Sequence, residues 1–378
     1  MKKKPLVNVV IPTYNRPYYL RRVLDYYGKY GQNYNIIVAD SSSDENKKVN
    51  RKIISSFSNL NILYKDGYPS KINPGIKIVD AIKDANEEYC VFCADDDFVI
   101  PNGINKCVDF LKRNPDFTVA HGCYIGFRLK KSKRKKEEFY WTPGYSYQSV
   151  TFPDARSRLI FHFSNYCPTF YAVHRTDFLR MILKETAKFT NDTLFYEFLP
   201  SMLSLIYGKM KRLDVLYAAR ETMPVFKRKR RDFMRVFIKA GTYDEKYARF
   251  KDCLSTHLGR EARLTIEDSR EAVDSGMSAY LSRYITGKSR NVLVGKIKKV
   301  VDYLGLPHWI DSGIKRLYRR LFLPKEARKA VLRSSSDAHF KDNGAFNEIC
   351  LHVLSFSKEQ WKNKRNLKMR KRLPGGIR

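Results

Sequence analysis

The feature that most restricts what this chain can fold into is a set of short apolar runs without polar alternation. Leu6 to Ile11 is interrupted only by Asn8, Asn35 to Ala39 reads Asn-Ile-Ile-Val-Ala, and Tyr89 to Ala94 reads Tyr-Cys-Val-Phe-Cys-Ala. A strand with one wetted face alternates apolar and polar residues. A strand that does not alternate must be covered on both faces, as in a parallel sheet. Between the first two runs, Pro17 opens a segment with Leu20, Val23, Leu24 and Tyr27 at helical spacing, and Asn15 is a candidate cap. Helical patterns at Lys47 to Phe57 and Ile76 to Ala85, with a short strand at Asn61 to Tyr64 between them, continue the alternation. The expected fold is α/β: an open, mixed, mostly parallel sheet flanked by helices, with ligands bound beyond the carboxyl ends of the strands. A strand at Thr169 to Val173 and helices at Asp177 to Lys184 and Leu194 to Tyr207 extend the unit, which closes near Arg220. The chain therefore divides into a catalytic-type unit over 1–225 and a basic, mainly helical region over 226–378.

The chain has 378 residues and a net charge of +33. That surplus attracts polyanions of every kind, from nucleic acid to anionic lipid headgroups and diphosphates, and does not choose among them. No stretch approaches the roughly 20 apolar residues of a membrane-spanning helix. The N-terminal Lys-Lys-Lys-Pro-Leu-Val-Asn-Val-Val-Ile imitates a signal peptide, but Asn8 and Pro12 interrupt it and no small-residue cleavage site follows, so it reads as a first strand. Seven cysteines in a chain this long do not make a disulfide framework and suit a reducing cytoplasm. Cys90, Cys93, His121 and Cys123 contain the atoms for a zinc site, yet Cys90 and Cys93 stand an odd step apart in a strand and should face opposite sides, as buried structural thiols.

The chemistry concentrates at strand ends. The run from Tyr89 stops at Asp95, Asp96 and Asp97. Carboxylates packed this tightly repel and raise one another's pKa unless a positive charge sits among them. A hard divalent cation, Mn2+ or Mg2+, held by carboxylate oxygens and completed by water and phosphate, is the economical answer. An acidic turn capping the next helix is the plainer alternative, although a cap uses one Asp and gains nothing from three. Asp40 ends the second run and is placed to accept hydrogen bonds from a ribose or base, or to make an Asx turn. Pro12, Thr13, Asn15 and Arg16 end the first strand on the same edge.

Taken together, Val9 to Pro17 (Val-Val-Ile-Pro-Thr-Tyr-Asn-Arg-Pro), Ile37 to Ser43 (Ile-Val-Ala-Asp-Ser-Ser-Ser) and the Asp triplet with Pro101 four residues on resemble the family 2 glycosyltransferases of GT-A fold, over roughly residues 5 to 220. The resemblance implies a nucleotide-sugar donor held by Pro12, Thr13, Asn15, Asp40, Lys71, Asp95 and Asp96, and a metal held by Asp95, Asp96 and Asp97. It also implies an inverting reaction with a carboxylate base. Counting back from Gly208 reaches Glu197, with Tyr196 where the family has a Glu; Asp192 is the rival. An aromatic, apolar neighbourhood would raise the pKa of Glu197, which suits a base. His174 and Arg175 are candidates for the acceptor side. The implied acceptor is a saccharide or a lipid-linked saccharide, as in bacterial cell-surface polysaccharide synthesis.

Two basic segments bear on location. Lys130 to Glu138 lies between strand-like stretches, as a solvated hairpin or a contact to a polyanionic acceptor. Ile310, Ile314, Leu317, Tyr318, Leu321 and Phe322 share a helix face whose back carries Lys315, Arg316, Arg319 and Arg320, and Val292 to Leu304 repeats the pattern. Such helices fit an anionic membrane surface, on the inner face of the cell membrane, or an ordinary core with a solvated back. Lys362 to Arg378 reads as a frayed basic tail. A nucleotidyltransferase would need a glycine-rich phosphate loop after the first strand, and Pro12 to Pro17 has no glycine. A nucleic-acid-binding protein would leave the acids without a role, so no specific nucleic acid is expected.

Overall fold

A computed structural model describes residues 7–31, 33–131, 137–144, 148–189, 193–222, 243–281 and 344–370. In chain order the elements are β1 (Val7–Thr13), α1 (Pro17–Tyr30), β2 (Asn35–Asp40), α2 (Asp44–Ser55), β3 (Asn61–Lys65), α3 (Pro74–Ala81), β4 (Tyr89–Phe92), β5 (Phe98–Val99), α4 (Pro101–Arg113), β6 (Phe117–Lys131), β7 (Glu137–Pro143), α5 (Ala155–Ser164), β8 (Val173–Arg175), α6 (Thr176–Thr186), α7 (Thr193–Tyr207) and β9 (Lys209–Glu221). Helices follow at Tyr243–Ala262, 266–281 and Gly344–Arg370.

The strands form one sheet in the order β3-β2-β1-β4-β8-β6-β9-β5, with β7 on β6. The β3-β2-β1-β4 half is wholly parallel. β8 then pairs antiparallel with β4 and β6, and β6 and β9 run parallel. This is the open, mixed sheet with flanking helices that the runs imply. The unalternating pattern has a direct cause. Val7, Val9 and Ile11 of β1 face one apolar core, together with Ile36 and Val38 of β2 and Val91 and Cys93 of the third run. Val10, Ile37, Ala39, Cys90 and Phe92 face a second core on the other side. Every residue is buried because both faces are roofed. Cys90 and Cys93 point to opposite sides as expected, and all seven cysteines are free.

Several local expectations are corrected. Thr169 to Val173 is not a strand; β8 starts at Val173, after a turn closed by Ala172 N–H donating to Thr169 O. Asn15 does not cap α1, whose N-cap position is Arg16 with no side-chain cap. Instead Asn15 adopts φ 53° and crosslinks two loops: its N–H donates to Ser42 Oγ, and its Oδ1 accepts from Ser43 N and Asn46 Nδ2. The tail expected from Lys362 is helical to Arg370. Strands β6 and β7, at either end of the Lys130 to Glu138 segment, pair antiparallel, and residues 132–136 between them lie outside the described residues.

A third apolar cluster joins α5 and α7 to the helices after residue 243, through Leu159, Phe195, Leu199, Phe250, Leu254 and Val273. The Gly344–Arg370 helix inserts Phe346, Ile349 and Val353 into the sheet's own core. The basic segments at 292–304 and 310–322 lie outside the described residues. Among the described residues no helix is long and apolar enough to cross a membrane.

Candidate active site

Parallel pairing brings the carboxyl ends of β1, β2 and β4 to one edge. Thr13 is in register with Asp40, and Val10 with Phe92. Cys93 N–H donates to Val10 O, so the chain turns at Ala94 directly beside Thr13. Thr13 Oγ1 donates to Asp95 Oδ2 at 2.7 Å. The other Asp95 oxygen, Oδ1, accepts from Arg16 at 3.1 Å, and the same guanidinium nitrogen reaches Asp96 Oδ2 at 2.8 Å. Two acids therefore converge on one cation. Asp95 is buried, and burial pushes its pKa up to about 6, with Thr13 and Arg16 opposing and Asp96 reinforcing the rise.

Asp97 points elsewhere. Its Oδ2 accepts from Tyr171 Oη at 2.6 Å and Arg220 Nε at 3.1 Å, and its Oδ1 accepts from Glu221 N at 2.8 Å. Burial raises its pKa, against Arg220 and Tyr171. Arg220 and Glu221 arrive because β5 pairs antiparallel with β9, Phe98 opposite Ala219, which lays both alongside the triplet. Asp96 is anchored through its backbone: its carbonyl accepts from Arg22 at 2.8 Å, and the buried Arg22 also forms an ion pair with Glu221 at 2.6 Å.

Asp40 is fully buried, with both oxygens engaged by the chain: Oδ1 accepts from Ser42 N, and Oδ2 from Asn50 Nδ2 and Tyr64 Oη at 2.8 and 2.6 Å. Beside it lies a group the sequence reading missed. Lys77 of α3, almost wholly buried, donates to Thr13 O and Ser41 Oγ at 2.8 and 2.9 Å. Burial lowers its pKa to about 8, while Asp40 and Asp95 hold it up. The available signal was a lysine within the apolar face Ile78, Ala81, Ile82. Pro12 is partly exposed in β1, whereas Lys71 stands exposed before α3 with φ 73°.

A cavity of about 550 Å³ opens next to this edge, lined by Tyr171, His174, Tyr196, Glu197 and Arg220, with Phe92 and Leu183 behind. Arg220 thus spans Asp97 and the cavity wall that carries Glu197. The surrounding wall partly desolvates Glu197 and raises its pKa, with Arg220 opposing; solvent still reaches the side chain, which limits that rise. Its rival Asp192 lies outside the described residues. His174 is buried on the cavity wall, its Nε2 in contact with Thr169 O. Arg175 is directed away, donating to the carbonyls of Leu111, Asn114 and Phe117. Cys90, Cys93, His121 and Cys123 do not come together as a metal-ligand group.

A parallel half-sheet ending in carboxylates, continued by an antiparallel strand and backed by a cavity bearing a further acid, is the open, mixed α/β arrangement expected from the sequence. Residues 8–182, somewhat less than half of the chain, match the family model for Glycosyl transferase family 2. An uncharacterized glycosyltransferase of Rickettsia conorii is 31% identical over 124 residues, covering 32% of this chain and 19% of that protein. One of Haemophilus influenzae is 25% identical over 133 residues, covering 35% of this chain and 52% of that protein. The chain thus spans from about a fifth to about half of the length of these curated relatives. Among solved structures, TarS 1-349 of S. aureus aligns with a TM-score of 0.49 and 14% identity, covering 93% of this chain and 87% of that one. The mannosyltransferase PcManGT from Pyrobaculum calidifontis, in complex with GDP-Man and Mn2+, aligns with a TM-score of 0.40 and 12% identity, covering 84% and 88%.

Proposed function

We propose that this chain transfers a sugar from a nucleotide-sugar donor to an acceptor hydroxyl, with inversion, using a divalent metal at Asp95 and Asp96. The observation that carries the proposal is the convergence of these two carboxylates on one cation, the Arg16 guanidinium, at the strand edge beside the Glu197 cavity. A donor set that already gathers a positive charge suits Mn2+ or Mg2+, which prefer carboxylate oxygens and keep water and phosphate as their remaining ligands. Asp97 suits it less, because Tyr171, Arg220 and the Glu221 amide already engage its oxygens. A metal bound at Asp95 and Asp96 would neutralise charge on the departing nucleoside diphosphate.

The chain's own groups do the rest. Thr13 orients Asp95, and Arg22 fixes the backbone of Asp96. Glu197, raised in pKa yet reachable by solvent, accepts the acceptor's hydroxyl proton as that oxygen attacks the anomeric carbon. Arg220, between Asp97 and the cavity, places fixed positive charge where the diphosphate leaves. Asp40, Lys71 and the β1 end around Pro12 and Asn15 frame the nucleoside side; a direct contact from Asp40 requires Tyr64 or Asn50 to yield. Residues 1–225 are the catalytic unit, and the helices at Tyr243–Ala262 and 266–281 buttress α5 and α7 through their shared core. The net charge of +33 suits a phosphate-linked saccharide or lipid-linked acceptor at an anionic membrane surface, on the cytoplasmic side.

The test is a panel of nucleotide sugars incubated with the full chain, with and without manganese, reading release of nucleoside diphosphate. Manganese-dependent release is expected with one class of donor. Asp96→Ala should lower it by at least about 10²-fold, and Glu197→Gln should lower transfer by about 10²- to 10⁴-fold. Full metal-dependent turnover in Asp96→Ala would overturn the assignment.

A further inference from the structure

Away from the donor edge, two helices bring a carboxylate, a thiol and an imidazole together. Glu185 lies in the last turn of α6, while Cys253 and His257, four residues apart, share one face of the Tyr243–Ala262 helix. One ligand atom from each lies within 4.8 Å of the others, and all three residues are half-buried. None of them lines the cavity beside Glu197. From this grouping we infer a second metal site, for a zinc-like cation, coordinated by Glu185, Cys253 and His257 with one position open to water.

The geometry favours an ion over a plain hydrogen-bond cluster. His257 Nε2 and Glu185 Oε2 are 3.8 Å apart, beyond a good hydrogen bond. The corresponding edge of a tetrahedron with zinc bonds of roughly 2.0 Å is about 3.3 Å, so a small inward movement suffices. The other imidazole nitrogen, Nδ1, is held by the Tyr207 hydroxyl. A tyrosine hydroxyl can accept as well as donate. When it accepts from Nδ1–H, it leaves the Nε2 lone pair facing Glu185, the outer-shell arrangement that orients ligating histidines. In that tautomer two acceptors face each other, and a cation between them satisfies both. Among the described residues the Cys253 thiol makes no hydrogen bond, and it becomes a ligand by releasing its proton to solvent as the metal binds. A mixed sulfur, nitrogen and oxygen set with three protein ligands selects zinc over magnesium or calcium.

One group competes. Lys188 Nζ sits 2.7 Å from Glu185 Oε2, but its side chain is largely exposed and can swing away. The bound ion would pin α6 to the Tyr243–Ala262 helix, next to the core formed by Phe195, Phe250 and Leu254 that supports α7 and Glu197.

The experiment strips the full chain with a chelator and titrates it with Co2+, reading the thiolate-to-cobalt charge-transfer band in the near ultraviolet. One equivalent should develop the band. Cys253→Ser and His257→Ala should abolish it, and Asp96→Ala, at the donor edge, should leave it intact. Lys188→Ala alters an exposed side chain without threatening the fold, and should tighten binding by about twofold to fivefold, the worth of a surface ion pair. No band in the wild-type chain, an unchanged band in Cys253→Ser, or unchanged affinity in Lys188→Ala would each overturn the site.

Discussion

Replacing Arg22 with Met tests how the acidic edge is held in place. Arg22 leaves 1% of its side chain exposed and Glu221 17%, and their charged atoms lie 2.6 Å apart. At an effective dielectric of 20 that separation corresponds to a gross attraction of about 6 kcal/mol, most of which offsets the hydration both groups lose. The pair is close but poorly aligned: Arg22 Nε and Glu221 Oε2 have no hydrogen-bond partner. Burial raises the pKa of Glu221, and Arg22 is the main force opposing it. Arg22→Met therefore leaves a buried carboxylate uncompensated and removes the donor to Asp96 O, a combination expected to cost about 3–5 kcal/mol. The double variant Arg22→Met with Glu221→Gln removes both charges and should recover about 2 kcal/mol or more of that loss, since a methionine packs well among the rings of Tyr19 and Phe98 that now flank the guanidinium. Urea unfolding followed by intrinsic fluorescence, comparing midpoints at constant slope, measures both steps. A single-variant cost below about 1 kcal/mol, or a double variant equal to the sum of the singles, would refute the idea that Arg22 compensates Glu221.

Two further tests address the neighbouring elements. Lys77 has a pKa of about 8 in the folded chain against 10.5 unperturbed, so between these values the unfolded chain holds the extra proton and stability should rise with pH, by about 3 kcal/mol for this group alone. Lys77→Met should flatten that slope between pH 7 and 10, and parallel stability curves for the two proteins would exclude the buried ammonium as its source. Gly75 sits against Tyr196, and a Cβ there would lie 2.5 Å from Tyr196 Cε2. Gly75→Ala should push that ring into the cavity, costing about 1–2 kcal/mol and raising the acceptor KM; unchanged stability and kinetics would show that the contact is slack.

The sequence by itself determined the architecture of the parallel half. A run such as Val9, Val10 and Ile11 has no polar face to offer water, so only a sheet roofed on both sides can hold it. Loops that follow such strands must lie at one edge, and for that reason Thr13, Asp40 and the Asp triplet were recognisable as neighbours. The helices α6 and α7 were legible from their spacing, while the strand expected at Thr169 to Val173 was misplaced because a tight turn can carry the same apolar residues. Tertiary structure alone decided the division of labour within the triplet. Asp95 and Asp96 turn to Arg16, and Asp97 turns to Tyr171, Arg220 and Glu221, partners 74 to 124 residues away in sequence; the pairing of β5 with β9 brings Arg220 and Glu221 alongside, and the turn before β8 supplies Tyr171. Local sequence encodes which residues are apolar and how they repeat. It does not encode which distant cation or hydroxyl meets a given carboxylate, because that depends on strand order and register across the whole sheet.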